Sequence, residues 1–171
     1  MKKMKKIFAL LIAMVMVLGM STMAFAASDY TITVNGTAKD GVYTAYKIFD
    51  ATLSDDNDIS YTVASGSALE TLLRGEESEA KTAFLAAFNI SDNGGKIYVT
   101  GTTSADAAIS WLKGNYSTYA IKTAATVTNS TGATSVTLDV GEAGYYYITS
   151  TLGTKSAVMV TSTNPSVTIN D

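Results

Sequence analysis

The sequence predicts a mainly β protein, an antiparallel β-sandwich with an inserted helical segment at about residues 67–119. Three observations carry this prediction. Apolar and polar residues alternate with a period of two toward both ends of the chain, and those stretches are rich in Thr and Tyr. Between them the apolar spacing changes to that of amphipathic helices, and strands placed before and after a helical block favour a sandwich. A parallel nucleotide-binding sheet would need alternating strand and helix units and a glycine-rich phosphate loop, and the sequence has neither.

At the start, Lys2, Lys3, Lys5 and Lys6 precede an apolar run from Ile7 to Met20. At about 1.5 Å per residue this run is shorter than the roughly 20 residues that span a bilayer. With the small residues of Ala24-Phe25-Ala26 it has the form of a signal peptide over residues 1–26, so the mature chain is expected to begin at Ala27 and to be secreted. Tyr30, Ile32 and Val34 alternate with Thr31 and Thr33 as a half-buried strand does. After the turn signals Asn35-Gly36 and Asp40-Gly41, a second strand is expected over Val42 to Phe49. Its faces are read as Tyr46 and Ile48 on one side, and Tyr43, Ala45 and Phe49 on the other. A third follows at Ile59 to Val63, beyond the acidic loop Ser54 to Asp58.

Ser67-Ala68-Leu69-Glu70 has the spacing of a capping box and opens a helix with Leu69, Leu72 and Leu73 as its buried stripe. A second helix, Glu77 to Phe88, presents Ala80, Phe84, Leu85 and Phe88, and pairs Glu77 with Lys81. Asn93-Gly94-Gly95 breaks it, and Lys96 to Thr100 reads as a short strand or extended link. Thr103 or Ser104 caps a third helix, whose Ala105, Ala108, Ile109 and Leu112 form one face before Gly114. Trp111 is expected in the core. From about Val127 strands return, at Val136 to Val140, Tyr145 to Thr149, Ala157 to Val160 and Val167 to Ile169. Gly132, Gly141, Gly144, Gly153 and Asn164-Pro165 separate them.

Composition narrows the chemistry. The chain has no Cys and no His, so thiolate and imidazole catalysis and the usual zinc and haem ligand sets are excluded. The leader carries four of the 12 basic residues and none of the 15 acidic ones, which leaves a mature net charge of −7. A surface of that sign repels phosphate backbones, and nucleic acid is not expected as a partner. No cofactor is expected.

Few residues suggest a site. Asp55-Asp56-Asn57-Asp58 lacks the glycine and distant glutamate of a calcium-binding hand and is expected to be a solvated loop. Asp139 and Glu142 could form a carboxylate pair, but nothing else marks a sugar cleft. Lys155 and Ser156 are strand neighbours, which point to opposite faces and cannot share a proton. Ser104 is explained as a cap. The Asn-X-Ser/Thr matches at Asn35, Asn89, Asn115 and Asn129 are expected by chance in so Ser/Thr-rich a chain. In Tyr145-Tyr146-Tyr147, alternation predicts one buried and one exposed aromatic face. No catalytic, cofactor-binding or metal-binding residue is assigned.

Three stretches carry a resemblance: Val42 to Phe49 (VYTAYKIF), Gly144 to Thr154 (GYYYITSTLGT), and Thr161 to Asp171 with its Asn164-Pro165. In this order, with helices between them and a leader before them, the chain resembles the N-terminal domain of a sortase-assembled, isopeptide-forming pilin backbone subunit of a Gram-positive bacterium. The resemblance implies a single immunoglobulin-like domain over residues 27–171 and a structural role in a pilus or fimbria at the cell wall, supporting adhesion. It implies a sortase and other pilin subunits as partners. The family's LPXTG signal, apolar tail and basic stop are not found before Asp171, so the sequence is expected to be a partial precursor or a product not polymerised in the usual way.

The resemblance also raises an internal Lys–Asn crosslink, which needs Lys on the first strand, Asn on the last and a carboxylic acid between them. Thr31 and Thr33 occupy the first strand, Ser150 stands where related modules carry Glu, and Val167 and Ile169 set a phase that turns Asn170 outward. No internal isopeptide is therefore expected. Lys47, on a partly apolar strand face, is the residue best placed to contradict this, and an intact mass short by one ammonia would do so. The alternatives are a non-covalent module binding a host glycan or protein through loops at one end of the sandwich, and a secreted hydrolase built from Lys, Ser or carboxylates.

Overall fold

The computed structural model describes residues 30–53, 59–153, 155–160 and 166–169. The expected signal peptide (residues 1–26), the Asp55 to Asp58 loop, Asn164-Pro165 and Asn170 lie outside the described residues, as do the side chains of Lys155 and Ser156. The protein is mainly β, with two sheets. The strands are β1 (Thr31–Asn35), β2 (Val42–Leu53), β3 (Ile59–Thr62), β4 (Phe88–Asn93), β5 (Lys96–Thr102), β6 (Lys122–Thr128), β7 (Ser135–Asp139), β8 (Gly144–Ser150), β9 (Lys155–Val160) and β10 (Ser166–Thr168). The helices are α1 (Ala68–Arg74), α2 (Glu79–Ala87) and α3 (Ala105–Tyr119). Among the described residues no helix is long and apolar enough to cross a membrane.

The small sheet has the order β10-β1-β7, and the large one β4-β5-β3-β2-β8-β9. The long β2 organises the large sheet. One edge pairs with β8, while the other pairs first with β6 along Val42 to Lys47 and then with β3 along Asp50 to Leu53. Ile32, Val34, Leu138, Val140 and Ile169 of the small-sheet segments pack against Tyr43, Ala45, Tyr146 and Ile148 of the large sheet. A second core, centred on Phe49, Phe84, Phe88, Trp111, Leu112 and Tyr147, lies between the large sheet and the helices. Full burial of side chains of this size contributes roughly 1.5–3 kcal/mol each relative to exposure.

Because β2 and β8 serve both cores, they are apolar on both faces. The expected exposed aromatic face of the tyrosine run is therefore corrected: Tyr146 and Tyr147 are both fully buried, and Tyr145 packs beside Phe49 at a ring-centroid distance of 5.4 Å. The expected grouping of Phe49 with Tyr43 and Ala45 is corrected as well. Lys47 faces Tyr146 and Phe49 faces Tyr145, so Ile48 is an extra residue that resets the alternation and places Phe49 in the helix-side core.

The first and third helices form where their caps predict, whereas the second, expected from Glu77, starts at Glu79 because Ser78 caps it. Ser67, Ser78 and Ser104 each accept a hydrogen bond from a backbone N–H three residues on, at 3.1, 3.2 and 3.1 Å. The capping box closes one residue early, since the Glu70 carboxylate accepts from Gly66 N–H (2.7 Å). Helix α2 buries Phe84 and Ala87 and leaves Leu85 exposed. Helix α3 buries Ala108, Trp111 and Leu112, runs through Gly114, and ends where Ala120 N–H reaches Tyr116 O (2.9 Å). The expected stop at Gly114 fails because Tyr116 and Tyr119 beyond it pack against the core. Within 67–119 the expected strand at Lys96 to Thr100 forms as β5, and it pairs with β4, a strand the sequence does not predict, so the segment contributes two strands to the large sheet.

Candidate functional site

The direction of β1 and β10 sets the geometry of the site. They are paired in parallel, with Thr33, Val34 and Asn35 opposite Ser166, Val167 and Thr168. Parallel strands start at the same end, so the chain reaches β1 at one end of the sandwich and leaves β10 at the other. The lower end holds Tyr30 and the β7–β8 connection; Val140 N–H and Gly141 N–H both donate to Tyr30 O (2.8 and 3.2 Å). The upper end holds the β1–β2 and β6–β7 connections. Ile169 N–H donates to Asn35 O there (2.8 Å), extending the parallel ladder past β10.

At the lower end the extra residue in β2 has a chemical consequence. In a regular strand residues three apart point to opposite faces. Across the irregularity at Ile48, Asp50 instead reaches Lys47, with Lys47 Nζ at 2.6 Å from Asp50 Oδ1 and 3.2 Å from Glu142 Oε2. The Lys47 side chain is only 4% exposed. Its stem crosses Gly144, where a Cβ would stand 2.8 Å from Lys47 Cε and 2.9 Å from Phe49 O. Glycine is thus required there by close approach. Lys122 lies opposite Lys47 in the ladder and also pairs with Glu142, so that carboxylate bridges two cross-strand cations that would otherwise repel.

Burial pulls the Glu142 carboxyl upward, but the hydrogen bonds from Lys122 and Lys47 outweigh it and hold its pKa below the ordinary glutamate value. Tyr146 donates to Glu142 O (2.8 Å), and burial with the neighbouring Glu142 and Asp50 charges raises its phenol pKa. Tyr147 is pushed up to about 12 by burial and by Tyr116. Lys47, Asp50 and Glu142 border an open cavity of about 480 Å³ beside Tyr30 and Lys96. Among the described residues the ion-pair partners of the Lys47 ammonium are Asp50 and Glu142.

At the upper end Asn129 is a buried polar hub. Its amide donates to Thr37 Oγ1 (3.1 Å), Ala38 O (3.1 Å) and Ala133 O (2.6 Å), while its oxygen accepts from Ala133 N–H (3.0 Å). Its backbone completes the join, with Asn129 N–H donating to Gly41 O and Asp40 N–H to Asn129 O. One side chain therefore ties the two upper loops together. In the sequence it shows only as an Asn-X-Thr match, and no local signal predicts its partners across 91 residues of chain.

The other expected residues are not drawn together. Asp139 is exposed on β7, whereas Glu142 is engaged by the two lysines. Ser104 caps α3. Trp111 is buried in contact with Phe84, Phe88 and Tyr119. Ser150 is buried, and its hydroxyl accepts from Leu152 N–H (3.0 Å). Asn89 is exposed, whereas Asn115 donates to Trp111 O (2.8 Å). Among the described residues no group of three or more acidic side chains is arranged to hold a metal ion. Comparison with protein-family models, curated proteins and solved structures finds no match.

Proposed function

We propose that the protein is a secreted structural subunit or domain of a sortase-assembled pilus or fimbria on a Gram-positive cell surface, supporting adhesion and carrying tension along its strands. The immunoglobulin-like character of the sandwich, with 67–119 as an insertion, is part of the same proposal. It is supported by the two facing sheets and by the position of α1, α2 and α3, the helices among the described residues, between β3 and β6.

The observation that carries the proposal is the parallel pairing of β1 with β10. Tension applied before β1 and after β10 pulls these strands in opposite directions along their length. The ladder bonds are then loaded together, in shear, whereas an antiparallel pair pulled from one end opens bond by bond. Resistance also needs a core that keeps the strands in register, which Ile32, Val34, Leu138 and Ile169 supply at full burial. The chemical resemblance of the VYTAYKIF and GYYYITSTLGT stretches to pilin backbone subunits supplies the biological setting.

Immunoblotting of cell-wall extracts from the producing bacterium tests the assignment. The expected result is a ladder of covalent species that collapses when the sortase is deleted. A protein found only as free monomer, unaffected by the deletion, contradicts it.

A further inference from the structure

Strand β5 contains a glycine that its backbone and packing do not demand. Gly101 has a φ outside the left-handed region, and a Cβ built on it would meet a single neighbouring atom, Asn89 Nδ2, at 3.9 Å. Glycine inside a strand loses packing and costs backbone entropy, and it often marks a bulge or a place where a ligand approaches closely. A bulge is present: Asn89 faces Gly101 while Ile90 faces Val99, which makes Thr100 the extra residue. Bulges bend the strand that carries them, and the β3–β5 ladder ends there, at Tyr61 opposite Val99.

Where the strands diverge lies a cavity of about 550 Å³. It is lined by the half-buried Tyr61, Tyr98 and Tyr145, by the core residues Phe49 and Phe88, and by Ser60, Thr100 and Thr102. All of its lining residues are uncharged. The volume falls within the range of small-molecule sites. We propose that this cavity is a binding site for a neutral aromatic ring system of the size of indole, admitted over Gly101. The half-buried rings of Tyr61, Tyr98 and Tyr145 offer aromatic contacts to a flat guest. A charged guest would lose hydration without gaining a counter-charge, and the aromatic and aliphatic groups of the lining favour a flat apolar guest over a polyol. The inference is independent of the load-bearing reading, since it concerns the helix-side end of the large sheet and not the terminal strands.

Indole titrated into the isotope-labelled mature protein, followed by amide chemical shifts, is the test. The expected result is saturable shifts at Ser60, Thr100, Gly101 and Thr102, at least ten-fold weaker binding of indole-3-acetate, and no binding of methyl β-glucoside. Gly101→Val fills the space over the glycine and is expected to weaken indole binding at least ten-fold. Ile59→Lys places a charge at an exposed position of the same lining (39% exposed) and is expected to weaken it without disturbing the core, so the test stands even if Gly101→Val does not fold. Absence of saturable shifts up to the solubility of indole, unchanged affinity in a folded Gly101→Val or Ile59→Lys protein, or preference for the glycoside overturns the proposal.

Discussion

Lys47 is the buried member of its ion cluster, with a side chain 4% exposed against 41% for Asp50 and 43% for Glu142. The two sides of the cluster are therefore unequal. Removing the ammonium leaves carboxylates that water still reaches, whereas removing the carboxylates strands a buried cation. Lys47→Met, which keeps the apolar stem, is expected to change stability by no more than about 1 kcal/mol, because replacing a buried charge by a well-packed apolar group is often neutral. The double change Asp50→Ala/Glu142→Ala is expected to cost about 3 kcal/mol or more. Urea denaturation at pH 7 compares them, and the reverse order would show that the cluster is not governed by desolvation of Lys47. Asn129→Ala orphans the groups that the amide bridges and is expected to cost about 3 kcal/mol by the same measurement, since each buried polar group left unpaired costs roughly 1–3 kcal/mol. A loss under about 0.5 kcal/mol would mean that water replaces the amide without penalty.

At the scale of elements, the sequence was most informative where local chemistry decides. The alternation of Ile32 and Val34 is matched by their full burial, and the caps at Ser67 and Ser104 form the hydrogen bonds that their positions require. It was least informative where distant contacts decide. The extra residue at Ile48, which aims Asp50 at Lys47, depends on the pairing of β2 with β8 about a hundred residues away. Strand β4 follows α2 without a break and carries mostly polar residues, so its alternation is weak. Strand β6 begins at Lys122 in a Thr/Ala stretch with little apolar contrast. Gly114 marked a helix end by propensity, yet tertiary packing of Tyr116 and Tyr119 carries α3 past it. A Cβ at Gly114 would meet nothing within 4 Å. Gly114→Ala is accordingly expected to stabilise the protein by about 0.5–1 kcal/mol, seen as a higher melting temperature. A destabilised variant would show that the helix needs the glycine for packing or bending.

For the whole molecule, two consequences follow from composition and topology. The chain has no His, so no side chain with an ordinary pKa titrates between pH 5 and 8. Glu142 and Glu70 both have folded pKa values below the ordinary 4.5. Below that value the unfolded chain takes up protons that the folded chain refuses, so their stabilisation is complete above it and is lost as pH falls through the folded values. The urea midpoint is expected to stay flat from pH 8 to pH 5 and to drop below about pH 4.5, with a smaller drop in Glu142→Gln. A midpoint that falls already between pH 7 and 5 would require another titrating group. The topology makes the mechanical prediction. With no cysteine in the sequence, Cys handles can be introduced one pair at a time for single-molecule extension. Handles at Asp29 and Asn170 load β1 against β10 in shear, while handles at Tyr30 and Gly141 pull on the antiparallel pair β1 and β7 from one end. The account predicts one cooperative rupture, before the tethers break, at a clearly higher force for the first geometry than for the second; equal forces, or a weaker response along β1 and β10, would contradict it.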